Sequence, residues 1–325
     1  MKFNRIFLAI GALAMMAFGS SCSSDNNDEP ESGKSDFSKL EKPKYADDGA
    51  KYHITTPGSD ISTIELTESG RYIITRSWAT PYRAESAKKM RAFSADGAVL
   101  SRAGNDAYVT GTYIKVGDGE YILDGYGSVV ITGTSDGGVE LLVSPEDGDT
   151  FTVGAQQEST FSDDNEETLA LCRSWVPTKL RVRISLNGRV MVDEAGPYSD
   201  YNKIQERVAR KLASYDPDEY DEDDFIFDDP YAEEVIFTRS GSYVVLFNDG
   251  ELNVRIWKWI NRDDLKIAYS YSIDGFNDPD ESGTGLLTFS DHNLTVYETE
   301  TETDSEDGES LTVTTEFWTT VTAKL

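Results

Sequence analysis

The chain contains 325 residues, of which 59 are acidic and 30 are basic, so its formal net charge at pH 7 is -29. This charge excludes nucleic acid as a partner, because a phosphate backbone needs a surface rich in lysine and arginine. It also argues against docking onto anionic lipid headgroups. The chain has only two histidines and two cysteines, so we expect no cofactor and no metal centre built on these residues.

Residues 1–21 are predicted to be a secretion signal. Lys2 and Arg5 precede an uncharged, mostly apolar run, Ile6–Phe18, which is too short to span a bilayer and suits the core of a signal peptide. Small residues then lead to Cys22. This pattern resembles the lipobox of bacterial lipoproteins, which implies that Cys22 is acylated and anchors the chain to a membrane. The alternative is an ordinary signal peptide followed by a chance cysteine.

Residues 22–50 are polar and charged, and we predict that they form a flexible tether. Serine and acidic residues directly after Cys22 resemble the surface-export signals of lipoproteins in Bacteroides-like bacteria. The resemblance implies a protein held in the outer membrane by lipid, with its folded part exposed at the cell surface.

From residue 51 onward the chain is predicted to be mainly β, because short alternating segments are separated by Gly, Asp and Asn, as in antiparallel sandwiches and barrels. In the first domain, residues 51–160, the predicted strands are Ile61–Leu66, Arg71–Arg76, Tyr108–Val116, Glu120–Leu123, Ser128–Thr132 and Val139–Val143. In the second, residues 161–325, they are Val235–Thr238, Ser242–Phe247, Leu252–Ile260, Leu265–Ile273, Gly285–Phe289, Leu294–Glu298 and Leu311–Ala323. The boundary is placed at the polar stretch Phe161–Glu167.

The two halves share an internal repeat. Ile64–Thr75 aligns without gaps with Val235–Leu246, and Thr, Ser, Gly and Tyr match in register. Two further matches follow in the same order: Gly111–Val116 with Val254–Trp259, and Val129–Thr132 with Leu286–Phe289. A period of about 170 residues indicates a duplicated domain rather than a solenoid.

Each domain is expected to contain about one helix. Apolar residues from Tyr201 to Tyr215 recur at spacings of three and four, which places them on one helical face. Ala84–Phe93 is the weaker candidate for a helix in the first domain.

Several motifs of the second half carry a family resemblance: Leu169–Trp175, Val235–Tyr243, Trp257–Trp259, Gly285–Ser290 and Leu294–Tyr297. They resemble the lipocalin-like domains found in lipoproteins of Bacteroides-type bacteria, where a strand bearing tryptophan is followed by a strand pair of the form F-x-x-x-G-x-Y and then a meander. The first half matches only loosely, since it has no clear opening strand with tryptophan. The resemblance implies two antiparallel β-meander units that are barrel-like, and it brings no shared catalytic residues.

Aromatic residues on two neighbouring predicted strands are the candidate ligand contacts. Trp257 and Trp259 share one face of their strand, and Tyr269 and Tyr271 share one face of the next. They are candidates to line a barrel cavity or a sugar-stacking platform, and ordinary core packing is the alternative. Trp318 is predicted to face outward among polar residues, which makes it a further binding candidate.

No catalytic residue is predicted. Carboxylates are so abundant that any pair could be proposed as acid and base, and no motif for nucleophilic or metal-dependent hydrolysis is present. The acidic run Asp216–Glu234 lacks the spacing of a calcium loop, so we predict a solvated loop. Cys172 lies in an apolar stretch and is predicted to be a small buried hydrophobe.

The expected function is therefore binding without catalysis. We expect a lipid-anchored surface protein whose β domains bind a small apolar molecule, a glycan or a surface protein partner. Two alternatives stay open: a structural or assembly subunit of a surface complex, with barrels filled by side chains, and a glycan hydrolase.

Overall fold

The computed structural model describes residues 35–77, 107–135, 137–161, 165–215, 227–270, 276, 282–306 and 309–324. The predicted signal peptide, Cys22 and the predicted helix Ala84–Phe93 lie outside these ranges. The described part is mainly β, as predicted, and its strands form two closed antiparallel barrels of eight strands each. No helix within it is long and apolar enough to cross a membrane.

The described strands of the first barrel form a meander, which closes where the first strand pairs with the last. Its strands are β1 (Ala50–Ile54), β2 (Ile61–Leu66), β3 (Arg71–Arg76), β4 (Tyr108–Gly117), β5 (Glu120–Leu123), β6 (Gly127–Gly133), β7 (Val139–Pro145) and β8 (Phe151–Gln157).

The second barrel follows the same order but contains one additional strand. Its strands are β9 (Ser174–Leu186), β10 (Arg189–Pro197), β11 (Ala232–Phe237), β12 (Ser242–Phe247), β13 (Leu252–Asn261), β14 (Lys266–Ser270), β15 (Ser282–Ser290), β16 (Asn293–Glu306) and β17 (Glu309–Ala323). The start of β9 pairs with β11 and most of its length pairs with β17, which closes the barrel. The extra strand β10 pairs with the later part of β9.

Both described helices accompany the second barrel. The short helix α1 (Glu166–Leu171) begins where the Asn165 side chain accepts hydrogen bonds from two backbone N–H groups. The longer helix α2 (Tyr201–Ala213) confirms the predicted helix, and its buried face packs on the barrel core. About one helix was predicted for each domain; the second barrel has these two, and the helix predicted for the first domain lies outside the described residues.

Side-chain alternation explains why these segments form barrels. In β15, Gly283, Gly285, Leu287 and Phe289 are buried while the residues between them are more exposed. The predicted strands are all present, but the sequence analysis missed β1, β8, β9 and β10. In β9 the missed signal was clear, because buried apolar residues alternate with lysine and arginine.

The repeated motif forms the same tight turn in both barrels. The turn after β2 contains Gly70 with φ of 86°, and the turn after β11 contains Gly241 with φ of 85°. In each turn the glycine N–H donates to the carbonyl of the preceding threonine, Thr67 or Thr238, at 3.0 Å. The predicted correspondence of these two segments is therefore present in the hydrogen bonding.

Each turn is also covered by an equivalent pair of aromatic rings. Tyr45 packs on Tyr113 in the first barrel and Phe161 packs on Trp257 in the second, with ring centroids 4.7 Å apart in both pairs. The N–H groups of Tyr113 and Trp257 donate to the carbonyls of the turn glycines at 2.8 Å. This equivalence corrects the sequence alignment by one residue, because that alignment placed Tyr113 opposite Ile256. A shift of one residue moves a side chain to the other face of a strand.

The two turns meet at a buried polar interface between the barrels. Glu68 of the first turn pairs with Arg239 of the second, with Nε and Oε1 3.2 Å apart, and the two side chains are only 2% and 7% exposed. The Arg239 guanidinium also donates to the carbonyl of Ala46. Desolvation raises the pKa of Glu68 to about 7, although hydrogen bonds and the charge of Arg239 oppose that effect.

Further contacts surround this ion pair. The buried Glu65 carboxylate accepts hydrogen bonds from Thr238 and Ser242, each at 2.8 Å. Arg71 donates two hydrogen bonds to Glu234, at 2.7 and 3.1 Å. Beside them lies an apolar cluster between the barrels, made of Ile73, Ile236, Val244 and Leu252. These contacts extend from the two turns along the outer face of β3 in the first barrel and of β11, β12 and β13 in the second.

The two turn glycines provide a matched pair of stability tests. We expect Gly241→Ala to lower the free energy of unfolding by about 1–2 kcal/mol, because a side chain is strained at positive φ. Gly70→Ala should cost about 1 kcal/mol more, since its new Cβ would lie 2.9 Å from the Tyr45 ring, whereas at Gly241 the nearest atom is 3.4 Å away. Chemical denaturation of both variants measures the difference, and equal losses would contradict the role of Tyr45.

Candidate functional site

A cavity of about 590 Å³ opens at the end of the first barrel that is opposite the β2–β3 turn. In an up-and-down barrel, alternate connections lie at the same end. The connections β1–β2, β5–β6 and β7–β8 therefore meet around this opening, which we call the mouth. Its lining residues are Thr56, Pro57, Gly58, Ser59, Asp60, Ile61, Arg76, Val109, Gly125, Tyr126, Pro145, Glu146, Asp147, Phe151, Thr152 and Val153.

The deep part of the mouth is apolar. Ile61 and Val153 are buried, with 2% and 4% of their surface exposed. Val109, Tyr126 and Phe151 are partly buried and pack against the core of the first barrel. This wall joins the hydrophobic core, so it gives a bound molecule a rigid apolar surface.

Four charged side chains lie among the lining residues of the mouth: Asp60, Arg76, Glu146 and Asp147. Arg76 is partly buried, whereas Asp60, Glu146 and Asp147 are exposed. Within the described part of the chain, none of the four forms an ion pair.

Tyrosine hydroxyls near the mouth stay protonated at neutral pH. Burial raises the pKa of Tyr126, with the positive charge of Arg76 acting in the opposite direction. Burial, with nearby Asp124, Tyr126 and Glu146, raises the pKa of Tyr72 to about 12. The Tyr72 hydroxyl donates to the carbonyl of Asp124 at 2.9 Å, which holds the β5–β6 connection in place.

The mouth was not predicted from the sequence, and no binding role was expected for Arg76, Tyr126 or Phe151. Polar residues occur in the connections at both ends of the first meander, so they do not mark the mouth. Recognising it requires knowing that the meander closes into a barrel.

The predicted aromatic contacts of the second barrel lie in its core. Trp257 is opposite Tyr269 and Trp259 is opposite Ile267 on β13 and β14, as the alternation indicated. Trp257 and Tyr269 are 2% and 1% exposed. The Trp257 Nε1 donates to the carbonyl of Thr238 at 3.0 Å. This packing corresponds to the alternative that the sequence left open.

The remaining aromatic predictions have different outcomes. Trp259 is partly buried and its Nε1 donates to the Thr168 hydroxyl of α1 at 3.0 Å, so it ties that helix to the barrel. Tyr271 lies outside the described residues. A ligand role for these aromatic residues stays a prediction, and the cavity described above lies in the other barrel.

Replacing Trp257 should show its structural role. We expect Trp257→Phe to lower the free energy of unfolding by about 1–3 kcal/mol, because it removes a buried hydrogen bond and leaves a void beside Phe161. Trp318→Phe is the matched comparison on the outer face and should cost less, under about 1 kcal/mol, because it only weakens contacts of a partly exposed ring. Thermal or chemical denaturation measures both, and equal effects would refute the assignment of Trp257 to the core.

Trp318 faces outward, as predicted, and it is not isolated there. Its ring lies 5.1 Å from the ring of Tyr297. The guanidinium groups of Arg181 and Arg183 lie 4.9 and 5.2 Å from the Trp318 ring centre, within the range of cation–π attraction. Asp193 bridges both arginines. This cluster stabilises the outer face of β9 and β17, and the binding role of Trp318 stays a prediction.

The interior of the second barrel contains a buried carboxyl group. Glu298 is 5% exposed and accepts a hydrogen bond from the Tyr269 hydroxyl through Oε1. Its Oε2 has no hydrogen-bond partner among the described residues. Burial raises the pKa of Glu298 to about 8, although the bond from Tyr269 acts in the opposite direction. The group therefore carries a proton at neutral pH.

Other groups of chemical interest are structural or lie outside the described residues. Cys172 is buried, as predicted, and burial raises the pKa of its thiol well above the usual value, so it is not an activated nucleophile. No group of side chains suited to a metal ion is found within the described ranges. Residues 216–226 of the acidic run lie outside them.

Comparison with known proteins identifies no family. No protein-family model matches the chain, and a search of curated proteins finds no similar sequence.

Proposed function

We propose that this chain is a lipid-anchored cell-surface protein that binds a small ligand, without catalysis, in the mouth of its first barrel. The observation that supports the proposal is the cavity of about 590 Å³, a size typical of small-molecule sites. It combines an apolar wall, formed by Val109, Tyr126 and Phe151, with charged groups that are not paired with one another. Rigid apolar surface provides affinity in such sites, and a few polar groups provide orientation.

A mouth-filling variant tests the proposal. We would measure the melting temperature of the full chain with glycans, fatty acids, bile acids and haem-like molecules, with and without the substitution Val109→Trp. A ligand that binds in the mouth should raise the melting temperature of the natural chain and leave that of the variant unchanged. A ligand that shifts both equally binds elsewhere, and that result would overturn the proposed site.

The lipid anchor is a separate part of the proposal and has its own test. The support for it is the sequence around Cys22, which resembles a lipobox. We expect Cys22→Ala to abolish metabolic labelling with a fatty acid. Cys172→Ala is the matched control, because this buried cysteine should have no effect on labelling. Labelling that persists in the Cys22 variant would refute the anchor.

A second candidate function is that of an assembly subunit. The observation that favours it is a row of exposed apolar side chains on the outer face of the first barrel: Ile114, Val116, Ile122 and Leu142, which are 51%, 55%, 45% and 41% exposed. Exposed apolar patches of this kind often mark interfaces. If this face docks a partner, Ile122→Lys should abolish co-purification of that partner while leaving ligand binding in the mouth unchanged.

A further inference from the structure

We infer that the ligand of the mouth is a neutral, hydroxyl-rich molecule of the oligosaccharide class. This inference rests on the proposed function, because it names the chemistry of the ligand at the same site. Three properties of the lining carry it: the amount of polar surface, the signs of its charges and the position of its aromatic rings.

The polar content of the lining disfavours a wholly apolar ligand. Half of the lining residues carry a polar or charged side-chain group, whereas pockets for apolar molecules are lined mostly by apolar groups with a few polar ones. A fatty-acid chain that filled this space would desolvate the partly buried Arg76 without giving it hydrogen bonds. Leaving such groups unpaired costs free energy.

The charges of the lining disfavour a charged ligand. Three carboxylates and one guanidinium face the same space, so an anionic ligand meets more like charges than opposite ones, in a chain whose net charge is already -29. A cation in turn meets Arg76 in the partly buried part of the mouth. Ionised carboxylates only accept hydrogen bonds and guanidinium only donates them. A hydroxyl group does both, so a neutral polyol satisfies both kinds of group.

The aromatic rings of the lining suit the apolar face of a sugar ring. Tyr126 and Phe151 lie in the partly buried wall, beside the apolar floor of Ile61 and Val153. A pyranose ring presents a face of C–H groups between its equatorial hydroxyls. That face can cover an aromatic ring while the hydroxyls reach the charged groups around it. The mouth therefore matches an amphipathic but uncharged ligand.

The test is calorimetric titration of the full chain with defined probes. The neutral probes are xylotetraose, cellotetraose and maltotetraose, and the comparison probes are tetragalacturonate, palmitate and taurocholate. We expect saturable binding of at least one neutral tetrasaccharide. Arg76→Gln and Glu146→Gln should each weaken it by about ten- to hundredfold, because each removes a hydrogen bond to a charged group. The matched controls Arg189→Gln and Glu140→Gln, at exposed positions away from the mouth, should change it by less than about twofold.

The outcomes separate this inference from the proposed function. If palmitate, taurocholate or tetragalacturonate binds more tightly than every neutral probe, and Val109→Trp abolishes that binding, the site is right and the inference is overturned. If no probe binds, or if Val109→Trp leaves binding unchanged, both are overturned. If the chain cleaves a neutral probe and Glu146→Gln abolishes the cleavage, the ligand class is supported. The proposal that the protein binds without catalysis would then be overturned.

Discussion

Replacing Arg239 with methionine is expected to lower the free energy of unfolding by about 3–5 kcal/mol at pH 8. The substitution removes the partner of Glu68 at the interface between the barrels, where both side chains are almost fully buried. A buried carboxylate without its cation is strongly destabilising. At pH 5, where Glu68 carries its proton, the loss should be smaller, because a neutral carboxyl needs no counter-ion. Chemical denaturation at the two pH values measures both losses.

Two further variants make this result specific. Arg239→Met combined with Glu68→Gln should recover part of the lost stability at pH 8, because the double change removes the buried charge as well as its partner. Arg189→Met, at an exposed arginine of β10, should change stability by less than about 0.5 kcal/mol. A loss of under about 1 kcal/mol for Arg239→Met would show that the ion pair does not stabilise the contact between the barrels.

Glu298→Gln is expected to make the protein more stable at alkaline pH. The pKa of Glu298 is about 8 in the folded chain, against an ordinary value near 4.5 when the chain is unfolded. The protonated group contributes fully to the free energy of unfolding below about pH 4.5, and this contribution is lost as the pH rises to about 8. Each pH unit in that interval costs about 1.4 kcal/mol, so the total loss is about 5 kcal/mol. Glutamine keeps the shape and cannot ionise.

The difference in the free energy of unfolding between Glu298→Gln and the natural chain should grow by about 5 kcal/mol in favour of the variant from pH 4.5 to pH 9. Chemical denaturation at constant salt measures it. Glu68→Gln is the control for a second buried carboxyl, and its own difference should stop growing near pH 7, where Glu68 ionises. A constant difference for Glu298→Gln across the range would mean that this carboxyl is not desolvated in solution.

Much of the fold could be predicted because barrel strands carry a local signal. Alternation placed Trp257 inside and Trp318 outside, and both placements agree with the structure. The repeated threonine, serine and glycine identified two equivalent turns. Alternation did not show whether the inward Trp257 meets empty space or other side chains, since that depends on residues from distant strands. The predicted cavity in the second barrel therefore could not be distinguished from core packing.

The mouth and the interface between the barrels could not be predicted for a related reason. The β2–β3 hairpin brings Asp60 close to Arg76, since Ile61 lies opposite Arg76, but Glu146 joins them only because β1 pairs with β8 and closes the barrel. The Glu68 and Arg239 side chains occupy equivalent positions in the two turns, but the repeat alone does not imply that they touch.

The sequence by itself determined the properties that depend on near neighbours in the chain. These are the β class, the inner and outer faces of most strands, the helix Tyr201–Ala213 and the acidic surface. Tertiary structure alone decided which barrel carries the cavity, which carboxylates are buried and how the barrels are joined. The physical reason is that hydrophobic alternation acts over a few residues, whereas cavities, desolvation and ion pairs arise from contacts between residues separated by many strands.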